Sequence, residues 1–483
     1  MISRQKVLES AAAEYDVIVL GGGAIGENVA DRAVRGGLTA ALIEHELVGG
    51  ECSYWACMPS KALLRPAQVL RAARQVSGAA EAVTGQLDVK AVLARRDYFA
   101  SDWSDAGQVQ WVDSAGIALV RGHGRLSGIQ QVTVTDTDGA TTILTARHAV
   151  VVATGSDPLI PEIDGLSQAR PWTSREATSA HTIPGSLAII GGGVVAAEMA
   201  TAYNGLGATV TVISRGGLLA GMEPFAADMV TEALRQRGVD VLLNAATTRV
   251  TRTGPEVTIE ISDGRTITAE EVLVATGRTP RTRDIGLETI GLDPGDWLPT
   301  DDTMRVNGFE WLYAVGDVTH RALLTHQGKY QARAAGDVIA ARANHQPVSD
   351  QPWGAHVATA DHQAVPQVTF TEPEIASAGL TARAATAAGY RIRSVDYEIG
   401  QVAGASVRED GYTGTARMVV DEDRGVVLGV TFVGPDVSEL LQAATIAIVG
   451  EVPLHRLWHA VPAYPTVNEI WLRLLETYGR PTT

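Results

Sequence analysis

The sequence GGECSYWACMPSK at residues 49–61 contains the only two cysteines of the 483-residue chain, Cys52 and Cys57. In an ideal α-helix, Cα atoms five residues apart are roughly 8 to 9 Å from each other, whereas a disulfide needs about 4.4 to 6.8 Å. If the two cysteines are bonded, the segment therefore opens as a distorted turn. Regular helix is then expected only near Pro59, a residue that a first helical turn tolerates.

The close spacing of the two cysteines favours redox chemistry over a structural role. A disulfide that closes so short a loop removes only about 2 kcal/mol of unfolded-state entropy, so it is a weak stabilising cross-link. A stabilising cross-link and a pair of reduced core thiols are the alternatives. We predict a redox-active pair.

The composition predicts a globular protein and excludes two classes of partner. The chain is 45% hydrophobic, and its length corresponds to roughly three domains of ordinary size. The formal net charge of -16 disfavours binding to nucleic acid or to anionic membranes. Residues 1–14 lack the apolar core of a signal peptide, and the most apolar run, residues 187–203, is short for a membrane span. We expect a soluble, cytoplasmic protein.

A dinucleotide-binding fingerprint precedes the cysteine segment. An apolar strand pattern at residues 15–20 runs into GGGAIG and then into an alanine-rich helical pattern. In this motif Gly21 makes the tight turn, Gly23 lets backbone amides approach a pyrophosphate, and Gly26 lets helix and strand pack closely. The next strand ends in Glu44, which can accept hydrogen bonds from a ribose. The segment therefore predicts a nucleotide site.

The same pattern recurs about 170 residues later and predicts a second nucleotide site. An apolar strand precedes GGGVVA, whose first and third glycines are Gly191 and Gly193 and whose helix begins near Val194. An acid at the end of the next strand would repel a 2′-phosphate, but the chain has Ser214 and Arg215 there. Since Arg215 can pair with a phosphate, we predict NADPH rather than NADH, with a solvated loop arginine as the alternative.

Further glycine elements accompany the two units. Each unit closes with a hydrophobic strand that ends in Ala-Thr-Gly, which contributes Thr154 and Gly155 to the first unit and Gly277 to the second. A third element, LYAVGD, places Asp317 between a strand and a helix. Asp317 can there hydrogen-bond a sugar alcohol or cap the helix.

The sequence beyond about residue 351 predicts a separate α+β domain. Strand patterns occupy residues 365–370, 418–420 and 426–433, and helical patterns occupy residues 438–449 and 469–478. This texture is typical of an antiparallel sheet packed against helices.

These features together resemble the pyridine nucleotide-disulfide oxidoreductase family, from about residue 15 to residue 476. The family includes dihydrolipoamide dehydrogenase, glutathione reductase and mercuric reductase, which are FAD-containing homodimers. The resemblance implies an α/β fold with two Rossmann-like domains and a C-terminal α+β dimerisation domain. The FAD domain would comprise residues 14–157 and 279–350, the NAD(P) domain residues 158–278, and the dimerisation domain residues 351–483.

The resemblance implies that the first fingerprint holds FAD and the second holds the nicotinamide cofactor. Asp317 would contact the FAD ribityl chain, and the helix start at Thr325 and His326 would face the flavin pyrimidine, where a helix N-terminus stabilises negative charge. Lys61 would approach flavin N5 while paired with Glu198. The expected FAD contacts are Gly21, Gly23, Gly26, Glu44, Gly50, Thr154, Gly155, Asp317, Thr325 and His326. The expected NADPH contacts are Gly191, Gly193, Val194, Ser214, Arg215 and Gly277.

The resemblance also implies an electron path, from NADPH through FAD to a disulfide between Cys52 and Cys57. Cys57, nearer to Lys61, would contact the flavin, and Cys52 would attack the substrate. No metal site is predicted. Homodimerisation is implied because the C-terminal residues of one subunit serve the cysteines of the other in this family.

The match breaks at the C-terminal His-Pro-x-x-x-Glu motif, whose histidine is the acid and base for the partner's dithiol. The corresponding run is YPTVNE, so Tyr464 replaces the histidine and Glu469 keeps the glutamate position. The pKa of free histidine is about 6.5 and that of free tyrosine about 10, so Tyr464 is a hydrogen-bond donor and a poor base. At its position Glu469 can still accept a bond from the Tyr464 hydroxyl. His459 is an alternative base, and fast exchange with a dithiol substrate is not expected.

Mercuric reductases also have a tyrosine in this region and a small residue followed by arginine at the second ribose. They use a C-terminal cysteine pair that this sequence lacks. Trp55, inside the cysteine loop, either narrows the substrate approach or packs on a neighbouring helix.

We predict an FAD-dependent NAD(P)H oxidoreductase that reduces a quinone, a metal ion or a small disulfide. A low-molecular-weight or dihydrolipoamide-type disulfide reductase and a low-turnover redox-sensing flavoprotein are the alternatives.

Overall fold

Short apolar strands followed by glycine turns generate much of the architecture. The computed structural model describes residues 13–480; residues 1–12, within the segment where no signal peptide is predicted, and residues 481–483 lie outside the description. The strands are β1 (Ala13–Leu20), β2 (Ala40–Glu44), β3 (Ala118–Arg121), β4 (His123–Gly128), β5 (Gln131–Thr135), β6 (Thr141–Val152), β7 (Ser156–Pro158), β8 (Ser186–Ile190), β9 (Thr209–Ile213), β10 (Asp240–Leu242), β11 (Thr247–Thr253), β12 (Glu256–Ile261), β13 (Thr266–Ala269), β14 (Glu271–Val274), β15 (Arg278–Pro280), β16 (Leu312–Ala314), β17 (Pro366–Thr369), β18 (Glu374–Gly379), β19 (Ile392–Glu398), β20 (Thr415–Asp421) and β21 (Val426–Gly434).

The α-helices lie between these strands and after them. They are α1 (Gly26–Arg35), α2 (Gly50–Tyr54), α3 (Cys57–Arg74), α4 (Val89–Phe99), α5 (Ala106–Ser114), α6 (Ser174–Ser179), α7 (Val194–Gly205), α8 (Pro224–Gln236), α9 (Thr325–Ala343), α10 (Ala360–Gln363), α11 (Ala382–Ala387), α12 (Ala403–Arg408), α13 (Leu441–Val449), α14 (Leu454–Leu457) and α15 (Glu469–Tyr478). Short 3₁₀ helices occupy Ala80–Ala82, Ser101–Trp103, Leu287–Ile290, Gly316–Thr319, Ile399–Gln401 and Val437–Leu440.

The described chain divides into two units. The first comprises the described residues of Met1–Tyr54, Ala100–Asp157 and Arg278–Asp361, and the second those of Trp55–Phe99, Pro158–Gly277 and His362–Thr483. The second unit thus contains both the second fingerprint and the C-terminal sheet, and the boundaries of the three predicted domains stay a prediction. Among residues 13–480, no helix is both long and apolar enough to cross a bilayer.

The first unit is built on a seven-stranded sheet with the order β3-β2-β1-β6-β5-β4, to which β16 adds beside β6. Strand β1 lies between β2 and β6 and runs parallel to both. Its residues Val17, Ile18 and Val19 are fully buried, since apolar clusters cover both faces of the sheet. Near-continuous apolar sequence is typical of such doubly covered parallel strands.

Helices α1 and α9 pack closely against each other in the first unit because α9 has glycines at the contact. A Cβ atom on Gly336 would lie 2.4 Å from the Cβ of Arg32, and a Cβ atom on Gly328 would lie 2.3 Å from Cδ1 of Ile25. The Arg32 guanidinium also donates to both carboxylate oxygens of Asp337, at 2.7 and 2.8 Å. Helix α9, whose start is predicted to face the flavin, is therefore fixed against α1, the helix of the first fingerprint.

The second unit contains three sheets. A parallel sheet of order β10-β9-β8-β14 carries the second fingerprint, and β11-β12-β13 form a small antiparallel sheet. The antiparallel sheet β17-β18-β21-β20-β19 contacts α13 and α15, which confirms the predicted α+β arrangement. Strands β18 and β19 were not predicted. The first is rich in small residues, and the second alternates polar residues with few apolar ones.

The helix seam gives a stability prediction. Gly336→Ala should lower the free energy of unfolding by about 1 to 3 kcal/mol, because the added methyl group overlaps Arg32 and the backbone of α1. Gly107→Ala is the matched control, since an added Cβ meets nothing within 4 Å on exposed helix α5 and alanine favours helix by up to about 1 kcal/mol. Urea unfolding monitored by circular dichroism measures both. Equal effects of the two substitutions would contradict close packing at the seam.

Candidate functional site

The first glycine motif forms a tight turn with an open centre. Gly21 has φ +103°, and a Cβ atom there would lie 2.5 Å from the carbonyl oxygen of Ala153. A Cβ atom on Gly26 would lie 1.9 Å from the carbonyl oxygen of Gly21. At Gly23, by contrast, the nearest atom is the Cα of Gly50, at 3.9 Å. The backbone at the start of α1 is therefore accessible to a pyrophosphate, which fits a dinucleotide.

Glu44 lies at the end of β2 beside this turn. Its Oε2 atom accepts a hydrogen bond from the Gly22 amide at 2.8 Å, and its Oε1 atom accepts from the Glu46 amide at 2.7 Å. Two backbone donors thus hold the carboxylate in place. Each carboxylate oxygen can accept more than one hydrogen bond, so Glu44 keeps capacity for a ribose hydroxyl.

The Gly-Asp element is held from behind by α9. The Gly316 amide donates to Oε1 of Gln331 at 2.8 Å, and Nε2 of Gln331 donates to Asp361 at 2.8 Å. Gln327 donates to the other Asp361 oxygen at 2.8 Å. Gln331 is fully buried, so water cannot replace it as the hydrogen-bond partner of the Gly316 amide and of Asp361. Sequence reasoning missed Gln331, which lies 15 residues from Gly316 without a local motif.

Asp317 is held by side chains that sequence reasoning also missed. Ser156 Oγ donates to Oδ2 of Asp317 at 2.5 Å, and Nε of Arg278 donates to Ser156 Oγ at 2.5 Å. Arg278 Nε also lies 3.6 Å from Asp317 Oδ2. The alternative in which Asp317 caps a helix is wrong, since the 3₁₀ helix at this point has no side-chain cap. Ser156 and Arg278 directly follow the two Ala-Thr-Gly sequences, which is the signal that could have identified them.

Two further predicted elements of the first unit are the first Ala-Thr-Gly sequence and the start of α9. Thr154, in the first Ala-Thr-Gly, donates its hydroxyl to the Arg281 carbonyl at 2.7 Å, and Gly155 follows with φ +78°. Helix α9 begins at Thr325, which is half-buried, and His326 is exposed. The positive end of a helix dipole lies at such a start and favours an anion.

The segment that contains the cysteines is two helices joined by a distorted turn. Helix α2 ends at Tyr54, and α3 begins at Cys57, two residues before Pro59. Between them Ala56 has φ -132° and ψ -95°, which is not helical. The helix is therefore interrupted between the cysteines, as the sequence predicts for a bonded pair, and the bond itself stays a prediction. Both cysteines are half-buried.

Trp55 packs against a neighbouring helix, the second of its two predicted roles. The Arg175 guanidinium of α6 lies 4.1 Å from the centre of the Trp55 ring, which is a cation–π contact. Thr178, also on α6, donates its hydroxyl to the Trp55 carbonyl at 2.8 Å. Both contacts lie within the second unit.

Lys61 and Glu198 form the ion pair that the resemblance implies. Nζ of Lys61 lies 2.8 Å from Oε2 of Glu198, whose side chain is buried on α7. The other oxygen of Glu198 accepts from the Phe370 amide at 3.0 Å, and the Phe370 ring lies 4.8 Å from Nζ of Lys61. Phe370 is separated from Glu198 by 172 residues, and nothing local in the sequence indicates it.

The second glycine motif repeats the geometry of the first. A Cβ atom on Gly191 would lie 2.2 Å from the Ala275 carbonyl oxygen, the counterpart of the contact at Gly21. Gly193 is the N-cap of α7, which begins at Val194. Gly277, at the end of the closing strand, accepts a hydrogen bond from the Leu159 amide at 2.9 Å.

The residues after β9 differ from those after β2. Ser214 is buried, and its hydroxyl occupies the position beside Gly192 that the Glu44 side chain occupies beside Gly22. Arg215 is exposed. The shorter serine side chain places no negative charge at this point, which fits a nucleotide with an additional phosphate.

Tyr464 and Glu469 are not brought together. Tyr464 is 78% exposed, whereas Glu469 is buried at the start of α15. Oε1 of Glu469 accepts a hydrogen bond from the Gly404 amide at 3.1 Å. A bond between the Tyr464 hydroxyl and Glu469 is absent from the described residues, because Glu469 points inward to α12. His459 is exposed, and its role as an alternative base stays a prediction.

The network behind the Gly-Asp element gives a prediction. Gln331→Leu should lower the free energy of unfolding by about 2 kcal/mol or more, because a buried amide and a carboxylate oxygen lose their partners. It should also weaken dinucleotide binding at the first fingerprint, measured by equilibrium titration. Gln327→Leu is the matched control, since it removes a bond to Asp361 but leaves the Gly316 amide paired. Equal losses of binding in the two variants would contradict a role for Gln331 in holding Gly316.

Comparison with known proteins agrees with this geometry. The family model described as pyridine nucleotide-disulphide oxidoreductase matches residues 15–341, and the model for its dimerisation domain matches residues 365–474. The chain is 31% identical to dihydrolipoyl dehydrogenase of Chlamydia pneumoniae over 95% of both chains. It is 30% identical to mercuric reductase of Acidithiobacillus ferrooxidans over 97% of this chain and 83% of the relative.

A solved structure shows the same fold. The crystal structure of LpdA from Mycobacterium tuberculosis superimposes with a TM-score of 0.81 and 26% identity, over 96% of this chain and 99% of that one. The α/β fold with two nucleotide-binding regions and a C-terminal antiparallel sheet is thereby confirmed. The chain belongs to the pyridine nucleotide-disulphide oxidoreductase family of flavoprotein enzymes, with a redox-active cysteine pair and a dimerisation domain.

Proposed function

We propose that the protein is an NADPH-dependent FAD oxidoreductase that passes electrons through Cys52 and Cys57 to an acceptor other than a dithiol-linked disulfide. The observation that supports this proposal most directly is that Tyr464 is exposed whereas Glu469 is buried and bonded to the Gly404 amide. Dithiol exchange needs a base that is oriented toward the partner's sulfur atoms. A tyrosine hydroxyl without an acceptor carboxylate does not supply one. Quinones, oxidised metal ions and small disulfides are the acceptor classes that fit.

FAD and a pyridine nucleotide are typical of the family, and the two glycine turns fit them. Bound FAD would supply the two-electron transfer between nicotinamide and disulfide. The assigned FAD contacts at Gly50, Thr154 and Gly155 and at Thr325 and His326 remain part of this proposal. The chain's own contribution is to hold the two nucleotides at backbone turns and to place Asp317 through Ser156 and Arg278.

The thiol chemistry rests on the first turn of α3. Cys57 is the first residue of this 18-residue helix, whose N-terminus favours a thiolate. Lys61 lies one turn later on the same helix face and adds a positive charge. The Glu198 carboxylate and the Phe370 ring hold this ammonium ion in place. We propose that Cys57 is the thiol next to the flavin and that Cys52 meets the acceptor.

NADPH preference is supported by the residues after β9. Ser214 is buried, and its short side chain leaves room at the position that Glu44 occupies in the first unit. Arg215 is exposed and directly follows Ser214 in the chain. A guanidinium binds a phosphate through charge-assisted hydrogen bonds.

A homodimer is supported by the dimerisation-domain match and by exposed apolar side chains in that region. Val461 is 85% exposed and Ile446 is 59% exposed, a surface that a second copy would cover. In such a dimer Tyr464 would act as a hydrogen-bond donor toward the partner subunit.

The nucleotide preference is testable on Arg215. Arg215→Gln should lower kcat/KM for NADPH about tenfold and leave kcat/KM for NADH nearly unchanged, because only NADPH carries the 2′-phosphate. Steady-state kinetics with both nucleotides measure the ratio. Arg265→Gln is the matched control, an exposed arginine of the same unit that pairs with Asp263. A parallel loss with both nucleotides would contradict phosphate recognition.

The acceptor is testable with a panel of quinone, Cu(II), Hg(II), glutathione disulfide and lipoamide. Wild type should oxidise NADPH with a quinone, a metal ion or glutathione disulfide but not efficiently with lipoamide. Cys52→Ser should abolish turnover with acceptors that need the dithiol, and Cys57→Ser should remove the thiolate-to-flavin charge-transfer absorbance of the reduced enzyme. Tyr464→His should raise lipoamide turnover because it restores a base.

Three results would contradict the proposal. Efficient lipoamide reduction by wild type would favour the alternative of a disulfide reductase that uses Tyr464 or His459. Quinone turnover that survives Cys52→Ser would show that the cysteine pair is bypassed. No turnover with any acceptor would favour a redox-sensing flavoprotein. Tyr464→Phe is the matched control for the tyrosine variant, because it removes the hydroxyl without adding a base.

A further inference from the structure

A buried acid beside the first glycine motif has a carboxyl oxygen without a hydrogen-bond partner among residues 13–480. Glu27 directly follows Gly26 in the first turn of α1 and is only 9% exposed. Its Oε1 atom is buried and makes no hydrogen bond to the described residues. Buried polar atoms are nearly always paired in folded proteins, so an unpaired carboxyl oxygen here needs an explanation.

Charged groups from two neighbouring elements act on Glu27. Glu44, at the end of β2, is a like charge, and Lys329, on α9, is an opposite charge. Burial has the largest effect and, with the charge of Glu44, raises the pKa of Glu27, whereas the charge of Lys329 lowers it; the resulting pKa is about 7. The carboxyl group is therefore close to half-protonated at neutral pH, unlike an ordinary exposed glutamate.

A third element, α2, also faces Glu27. Tyr54 donates its hydroxyl to the Val48 carbonyl at 2.9 Å, and burial raises the pKa of this phenol to about 12, with the charges of Asp105 and Glu27 assisting. Arg121 acts on Tyr54 in the opposite direction. The phenol therefore stays neutral over the pH range in which Glu27 titrates.

The charged residues of α1 itself lie on later turns and have partners. Asp31 pairs with Arg35, and Arg32 pairs with Asp337. Among the charged residues of α1, Glu27 is thus the one without a partner in the described part of the chain. Outside α1, His45 also reaches this cluster, with its Nδ1 atom 3.4 Å from Oε1 of Glu44.

We propose that Glu27 couples FAD retention to a proton, so that the first fingerprint binds FAD tightly when Glu27 is neutral and less tightly when it is ionised. The start of α1 is where the glycine motif places the pyrophosphate of a dinucleotide, through backbone amides and the helix dipole. An ionised carboxylate one residue after Gly26 opposes that attraction from a poorly solvated position. Neutral Glu27 leaves the attraction intact.

The direction of the pH dependence follows from this coupling. The pyrophosphate is anionic throughout the range from pH 6 to pH 8.5, so bound FAD holds the proton on Glu27 more strongly than the free site does. Affinity is highest below the pKa of Glu27 in the free protein and falls as pH rises toward the higher pKa in the complex. We expect a decrease of about tenfold over this range, equivalent to about one pKa unit.

The inference rests on the proposed FAD function of the first unit, and its test measures binding rather than turnover. The full-length apoprotein is titrated with FAD and with ADP-ribose, which has the adenosine and pyrophosphate without the flavin, at several pH values. Isothermal calorimetry in two buffers of different ionisation enthalpy gives the protons taken up on binding. Wild type should take up protons above neutral pH with both ligands and lose affinity about tenfold by pH 8.5.

Glu27→Gln should bind FAD with the low-pH affinity of wild type at every pH and take up no proton. Asp31→Asn is the matched control on the same helix and should keep the wild-type pH dependence. Equal wild-type affinities at pH 6 and pH 8.5 without proton uptake would overturn the inference, even if Glu27→Gln failed to fold. A pH dependence that persists in a folded Glu27→Gln variant would overturn it as well. If wild type bound no FAD at any pH, the proposed function would fail instead.

Discussion

The close approach of backbone segments at the ends of parallel strands is the constraint on which both nucleotide regions depend. At Gly21 and Gly191 a Cβ atom would overlap a carbonyl oxygen of the closing strand, at 2.5 and 2.2 Å. The first turn of each fingerprint helix can therefore lie directly over the strand end, with its amides outward. Glu44 and Ser214 mark the same place on the next strand, so the two regions differ there in side-chain length and charge.

Charged groups near the predicted chemistry are held by more than one partner. Glu198 is bound by a lysine and by a backbone amide, and Asp317 by a serine that is itself bound by Arg278. Burying such charges costs several kcal/mol per ion unless their bonds are satisfied. Glu27 differs from them, since its Oε1 atom makes no hydrogen bond within the described part of the chain.

The sequence predicted the parts of the structure that short motifs determine. Helix α15 has the predicted bounds and α7 begins at the predicted Val194, because glycine turns and apolar runs define them locally. The family was also correct. The supporting residues were missed because they act across long separations, as Phe370 does on Glu198 over 172 residues. The bond that Glu469 can accept from Tyr464 is absent from the described residues, since motif spacing does not tell which way a helix-terminal carboxylate points.

The turn between the two cysteines is anchored by a helix that contains neither of them. Helix α6 begins with a capping box at Thr173 and Glu176, and the buried Arg96 donates to the Thr178 and Ala180 carbonyls at its other end. The same helix holds Trp55 through its ring and its carbonyl. The backbone around Trp55 therefore keeps its shape without help from a bond between sulfur atoms. A change in the oxidation state of the sulfur atoms therefore leaves these contacts of Trp55 with α6 in place.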